Sequence, residues 1–396
     1  MLDSGILRLG LWCFQSSLRA HGELQSATLL AVTTYQWVTL PALTATRAIT
    51  LYILSQDSLM SNQTLQYVKR TSERRCLLSS ESQRFHHLQL LLISAFLICT
   101  GTFSFACSGL QAAEPEATSL GEHGYAKSGD TRIHYVTAGK GPLLVMIHGF
   151  PDYWYTWRNQ MPELSKTFQV VAFDQRGYNL SDQPVGVENY AMPKLVDDVK
   201  ALIEHFDHEE AIVMGHDWGG AVAWSFAMTY PKMVDRLVIL NLPHMNGLRR
   251  ELANNPEQQK ASAYARHFQT PGAASQLTAN GLAFLVKDPE AQKKYVQAFE
   301  RSSFEGMLNY YKANYPKPPY TNDATAMPRV QCPVLMIHGL GDTALLPGAL
   351  NDTWQWLDND LTLVTIPKVD HFVQHGAATK VTHRVNTWLN ASTTEK

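Results

Sequence analysis

The polar and apolar positions change their pattern near residue 120. Beyond that point, short apolar runs alternate with segments of helical period. Residues 132–137 (RIHYVT) alternate as a hairpin strand does. Runs at 143–147, 170–173, 211–214, 237–240, 334–337 and 361–366 read as further strands, most of them apolar on both faces. Helical patterning covers 154–164, 192–206, 221–230, the flanks of 354–357, and 377–389. Strand–helix alternation of this kind predicts an α/β fold, a mostly parallel sheet with helices on both faces. One interval departs from it. Residues 241–333 carry few strand signals but show helical patterns at 258–268, 273–285 and 289–313, ending at Pro316-Lys317-Pro318-Pro319. This predicts a helical cap over 244–328, inserted into a core made of 114–243 and 329–396. The cap would cover the open end of the sheet, where ligands bind in such folds.

Upstream the picture differs. Residues 1–84 are rich in Ser, Thr, Gln and Leu, poor in acids, and without sustained period, which predicts a poorly structured extension. Residues 85–113 contain no Lys, Arg, Asp or Glu, and 88–105 are mostly apolar. Lys69, Arg70, Arg74, Arg75 and Arg84 precede them, and small residues lead into Glu114-Pro115-Glu116. This is the order of a secretory signal peptide cleaved near Ala112 or Ala113, and it predicts a periplasmic or secreted protein. Left uncleaved, 88–105 approach a spanning length and would attach the protein to a membrane. A signal peptide opens a chain, so this reading moves the translation start downstream, for example to Met60. An organellar transit segment is the rival reading.

Composition narrows the classes. With 396 residues and 45% apolar content, the chain can build one large α/β core plus an appendage. A net charge of −2 with no basic patch argues against a nucleic-acid partner. Of the cysteines, Cys13, Cys76, Cys99 and Cys107 lie before residue 110, and none has metal-ligand spacing. Cys332 stands alone in the folded part, which therefore rests on its core without an internal disulfide.

The chemistry centres on Val213-Met214-Gly215-His216-Asp217-Trp218-Gly219-Gly220, between a strand-like and a helix-like run. Glycines two before and two after a nucleophile permit the sharp strand-to-helix turn that exposes one side chain. A carboxylate at its tip restricts the reaction. A serine attacking a saturated carbon would form an ether, which water does not readily reverse. A carboxylate forms an ester there, and esters hydrolyse. Asp217 thus points to displacement at a saturated carbon bearing an epoxide oxygen or a halide. Ester or peptide cleavage would force the carboxylate into an anhydride.

Two loops after late strands supply a base and its partner: His338-Gly339-Leu340-Gly341-Asp342 and Val369-Asp370-His371-Phe372. The chain order Asp217, Asp342, His371 is nucleophile, acid, histidine. Asp342 is preferred to Asp370 as the orienting acid, since sequence neighbours of His371 point apart from it. The strand ending at Asn241 offers no carboxylate. Backbone N–H groups of Phe150, in His148-Gly149-Phe150-Pro151, and of Trp218 are expected to form an oxyanion hole. His148, His216, His338 and His375 are read as structural.

HGFPDYWYTW (148–157), DQRGYNLSDQP (174–184), GHDWGG (215–220), the Gly341-Asp342 loop and Asp370-His371-Phe372 together resemble the epoxide hydrolases of the α/β-hydrolase fold. The resemblance covers roughly residues 120–392 and implies an eight-stranded sheet. Each motif alone is shared with haloalkane and fluoroacetate dehalogenases, which remain the alternative. The resemblance also implies two cap tyrosines that hydrogen-bond the epoxide oxygen. Tyr264, followed by Phe268-Gln269-Thr270-Pro271-Gly272, and Tyr311, in Asn309-Tyr310-Tyr311-Lys312, match those segments, with Tyr310 and Tyr315 as neighbouring decoys. Phe150 departs from the asparagine that many haloalkane dehalogenases carry there. The expected reaction takes a small apolar epoxide and water to a vicinal diol, with no metal or organic cofactor.

Overall fold

The computed structural model describes residues 120–322 and 327–391. The readings on 1–84 and 85–113 lie outside the described residues. Eight strands form one sheet in the order β1-β2-β4-β3-β5-β6-β7-β8. They are β1 (Glu122–Ser128), β2 (Thr131–Ala138), β3 (Leu143–Ile147), β4 (Gln169–Phe173), β5 (Ala211–His216), β6 (Val234–Leu240), β7 (Val334–Gly339) and β8 (Leu361–Ile366). β2 pairs antiparallel with β1 and β4, and the strands from β4 to β8 pair in parallel.

The eighth strand is β1, whose sequence EHGYAKS buries only Ala126 and Ser128. Apolar patterning does not reveal such a strand. It exists because Gly129 (φ 58°) lets the chain turn back at Ser128 and pair residue for residue with β2. The middle of the sheet is the opposite case. Every residue of β3, β5 and β7 is buried, which requires cover on both faces. Each large apolar side chain buried there contributes about 1.5–3 kcal/mol. Helices α1 (Met192–His205) and α2 (Trp218–Thr229) pack together and against β1, β3, β5 and β6.

Several helical runs are more broken than their patterning suggests. The segment 154–164 is a 3-10 turn (Trp154–Asn159) followed by a short helix with Pro162 in its first turn. Between β6 and β7 lie α3 (Met245–Asn254), α4 (Pro256–Ala261), α5 (Ala263–Phe268), α6 (Ala279–Ala283), α7 (Pro289–Glu300) and α8 (Phe304–Asn314). The expected helix over 258–268 breaks at Ser262, and that over 289–313 breaks at Ser303. The Ser303 hydroxyl accepts the Gly306 N–H, capping α8 and ending the continuous run. A final helix, α9 (Ala378–Ala391), packs on β7 and on the 154–164 segment.

Candidate active site

The C-terminal ends of β3, β5, β6, β7 and β8 carry the expected chemistry to one place. β5 ends at His216, and α2 begins at Trp218. Asp217 sits between them at φ 50°, ψ −121°, a conformation that a non-glycine residue adopts only when its surroundings impose it. Gly219 makes the turn feasible. A Cβ there would lie 2.1 Å from the Ile147 carbonyl oxygen, so any side chain would push α2 off β3. Gly149 serves the approach from the other side, since its Cβ would fall 2.4 Å from that of Asp217.

That close approach brings the Phe150 N–H to Oδ1 of Asp217 at 2.8 Å. Trp218 N–H is among the first amides of α2, which have no acceptor within the helix. Of the two expected oxyanion donors, the Phe150 N–H is on the Asp217 carboxylate, and the Trp218 N–H follows Asp217 directly in the chain at the start of α2. His148 holds the loop, with Nδ1 on the Gly149 carbonyl and Nε2 accepting Gln175 N–H.

His371 follows β8. Its Nδ1 lies 2.7 Å from Oδ2 of Asp342, and its Nε2 lies 3.4 Å from Oδ2 of Asp217. The other oxygen of Asp342 accepts Ala344 N–H (2.8 Å) and Leu345 N–H (3.0 Å). Asp370 accepts the Phe372 N–H, so Asp342 is the acid on the imidazole. His216 donates from Nε2 to the His371 carbonyl at 2.9 Å, His338 to the Leu345 carbonyl, and His375 pairs with Thr156. All three fix loops, as their reading as structural residues requires.

The charges follow from this geometry. Burial alone would raise Asp217, but the hydrogen bond and charge of His371 and the Phe150 N–H outweigh it, leaving the carboxyl below its usual value. Burial likewise opposes ionisation of Asp342, yet His371, the Leu345 N–H and Asn241 hold it well below the usual carboxylate range. Burial would lower His371; the charge of Asp342 and the contacts with Asp217 raise it well above the usual imidazole value. These directions favour an anion–cation–anion array in the resting site.

Tyr264 on α5 and Tyr311 on α8 meet edge to face, with ring centroids 6.0 Å apart. Tyr311 also stands edge-on to Trp218 (5.0 Å) and Phe150 (5.5 Å), the residues that flank Asp217 in space. Burial first, then nearby charges including Asp217, hold both phenols well above their usual pKa, so they stay protonated. The decoys are otherwise engaged: Tyr310 donates to the Arg176 carbonyl and Tyr315 to Ser262 Oγ.

Two features escaped the sequence reading. Asn241 donates to Oδ2 of Asp342 at 2.8 Å while its own oxygen accepts Gly339 N–H at 3.0 Å. In sequence Asn241 shows only the lack of a carboxylate; its place directly after β6 is the available signal. Asp152, inside the HGFPD run, accepts from Tyr295 of α7 (2.5 Å) and from Thr156 (2.9 Å). Burial pushes its carboxyl up to about 7 against these bonds. Nothing local marks Asp152, because Tyr295 lies far along the chain.

Comparison with known proteins agrees with this geometry. A family model described as alpha/beta hydrolase fold matches residues 142–378. Epoxide hydrolase 1 of Caenorhabditis elegans is 33% identical over 287 residues, covering 67% of this chain and 70% of that protein. The AB hydrolase superfamily protein YfhM of Bacillus subtilis is 34% identical over 264 residues, covering 61% of this chain and 89% of YfhM. A Bacillus megaterium epoxide hydrolase, solved with an inhibitor, superposes with a TM-score of 0.63 at 31% identity, over 67% of this chain and all of that one. Fold, site geometry and relatives converge, and the chain belongs to the epoxide hydrolases of the α/β-hydrolase fold.

Proposed function

We propose that this protein converts a small apolar epoxide to a vicinal diol through an ester on Asp217, beneath a cap formed by α3 to α8. The observation that carries the reading is the unequal treatment of the two Asp217 oxygens. Oδ1 accepts the Phe150 N–H at 2.8 Å, whereas Oδ2 faces His371 Nε2 at 3.4 Å. Oδ2 is then the attacking oxygen, and Oδ1 becomes the ester carbonyl, already in its oxyanion hole.

Ionised Oδ2 attacks one epoxide carbon from the side opposite the ring oxygen. The C–O bond breaks, and Tyr264 and Tyr311 hydrogen-bond the departing oxygen while one of them transfers its proton. The tyrosinate is reprotonated at the expense of the His371 imidazolium, so the products of this step are a hydroxyalkyl ester, an intact phenol and a neutral His371. His371, held by Asp342, takes a proton from water as that water adds to the Asp217 carboxyl carbon. The Phe150 and Trp218 amides bear the oxyanion. Collapse expels the diol oxygen, which takes the proton held by His371; the acid left on Asp217 then passes its proton to His371, restoring a carboxylate that carries one oxygen from water and the resting imidazolium. Halide release would need no proton donor, so the two protonated phenols favour the epoxide over the haloalkane.

Single turnover in heavy-oxygen water tests the ester. Label should enter Asp217 before it reaches the diol, whereas label in the first diol released would mean direct attack by water. His371→Gln should trap an adduct of the substrate's mass. A panel of epoxides beside chloroalkanes separates the two leaving groups.

For the N-terminal region we propose that 85–113 direct export, with cleavage near Ala112 or Ala113. The mature protein should then begin close to Glu114. Recovery of native peptides from upstream of residue 85 would rule this out.

A further inference from the structure

Gln258 on α4 is wholly buried, yet it is an amide. Burying an amide is unfavourable unless each of its groups is paired, and here each is. Nε2 donates to the Ala344 carbonyl (2.8 Å) and to Ser262 Oγ (3.0 Å), and Oε1 accepts the Leu346 N–H (2.9 Å). Residues 344 and 346 bracket the amides that hold the catalytic acid, since Ala344 N–H and Leu345 N–H both donate to Asp342 Oδ1. Gln258 thus grips the loop that presents Asp342 to His371 Nδ1. The other end of the grip is also functional. Ser262 accepts from Tyr315 and precedes α5, which carries Tyr264.

We infer that Gln258 is a positioning residue for the hydrolytic half of the reaction, tying the cap to the Asp342 loop so that Asp342 meets His371 squarely. The inference rests on the ester intermediate proposed above. It distinguishes the two chemical steps. Without Gln258, Ser262 keeps its hydrogen bond from Tyr315, so the α5 segment and Tyr264 remain tethered. The loop loses its bonds at Ala344 and Leu346 and keeps His338 on the Leu345 carbonyl. The deficit therefore falls on Asp342 and the base it orients, not on the attack by Asp217.

The test compares Gln258→Met, of similar volume, with wild type and His371→Gln by rapid quench and intact mass on one turned-over epoxide. Hydrolysis of the ester should slow about tenfold, the scale set by the loop's two lost hydrogen bonds at Ala344 and Leu346. Alkylation should hold, so the adduct accumulates, kcat and KM fall together, and kcat/KM stays near wild type. A purely structural role predicts falling kcat/KM with no adduct build-up, and that result overturns the inference. Gln258→Glu supplies a second reading should the methionine variant fold poorly. Protonated, its carboxyl can donate to the Ala344 carbonyl; ionised, it cannot. Its hydrolysis defect relative to wild type should shrink as pH falls, and a defect independent of pH refutes the role. Adduct in His371→Gln but not in Gln258→Met removes the Gln258 inference alone. Adduct in neither removes the ester mechanism with it.

Discussion

Replacing Asp342 by Asn is the most searching perturbation of the site, because the change is isosteric and every neighbour's response can be read from the structure. Oδ1 can remain an amide oxygen and keep the Ala344 and Leu345 N–H bonds (2.8 and 3.0 Å). The other position then becomes NH2. It faces two groups that now donate to it, His371 Nδ1 at 2.7 Å and Asn241 Nδ2 at 2.8 Å. Asn241 cannot turn over to help, since its oxygen is held by Gly339 N–H. His371 must therefore present Nδ1 as an acceptor, which places its proton on Nε2, the nitrogen that should receive the proton of water. A wrong-tautomer histidine of this kind costs roughly 10⁴ in rate in the analogous serine-protease substitution. The donor–donor clash with Asn241 adds about 1–3 kcal/mol of lost stability. Rapid quench should show the ester forming and persisting, with its hydrolysis slowed by about four orders of magnitude. Alkylation should be far less affected, because Asp217 keeps its bond from Phe150 and the Nε2 proton of His371 still faces its Oδ2. Hydrolysis within about tenfold of wild type would refute the assignment of Asp342 as the acid that fixes the tautomer.

Other outcomes follow from the same contacts. Tyr311→Phe should slow epoxide opening by roughly one to two orders of magnitude. Tyr310→Phe should leave the rate intact while lowering stability by about 1–3 kcal/mol, because it orphans the Arg176 carbonyl; equal rate losses would sink the distinction. The rate of ester hydrolysis should fall as pH drops through the His371 value in the alkyl-enzyme, while alkylation holds to lower pH because Asp217 sits below its usual value. Single-turnover rates for each step against pH would show this, and parallel profiles would contradict it. Asp152 reads out in stability. Its folded value is raised to about 7, so the unfolded chain loses this proton first as pH rises. Its contribution is present at acidic pH and is lost between the usual carboxylate range and about pH 7. Asp152→Asn should flatten that interval in denaturant titrations, and an unchanged slope would count against a buried protonated Asp152.

The parts of this molecule that were legible in its sequence are those whose cause is local. The buried strands could be read from unbroken apolar runs, and the elbow from its two flanking glycines. Asp217, Asp342 and His371 could be placed because each follows an apolar strand that carries it to the same edge of the sheet. β1 was not legible because it is a polar edge strand made by pairing with β2. The break at Ser303 is hidden because a hydroxyl that caps one helix looks, in sequence, like a tolerated polar position in a longer one, and that at Ser262 because its hydroxyl accepts from Gln258 and Tyr315, the latter a contact from far along the chain. Asn241 and the Asp152–Tyr295 contact are tertiary facts. Their partners are 101 and 143 residues away, and no periodicity links them.

The array at the centre also explains why the reaction suits a carboxylate. In the resting state Asp217 and Asp342 both stabilise the charged imidazole, which would make His371 a poor base. The same pairing keeps Asp217 ionised in a buried site, as nucleophilic attack requires. In the proposed mechanism, ester formation would remove the charge on Asp217 and with it one of the two anions that raise His371. Asp342 remains to orient the ring, while the affinity of the imidazole for its proton falls. The proposed alkylation step would therefore convert a cation that served the nucleophile into a base that serves the water. A serine in the same turn is neutral before attack and after acylation, so it could not produce this change. On this reading the order of the two half-reactions is set by charge, and the 3.4 Å separation of Nε2 and Oδ2 is what couples them.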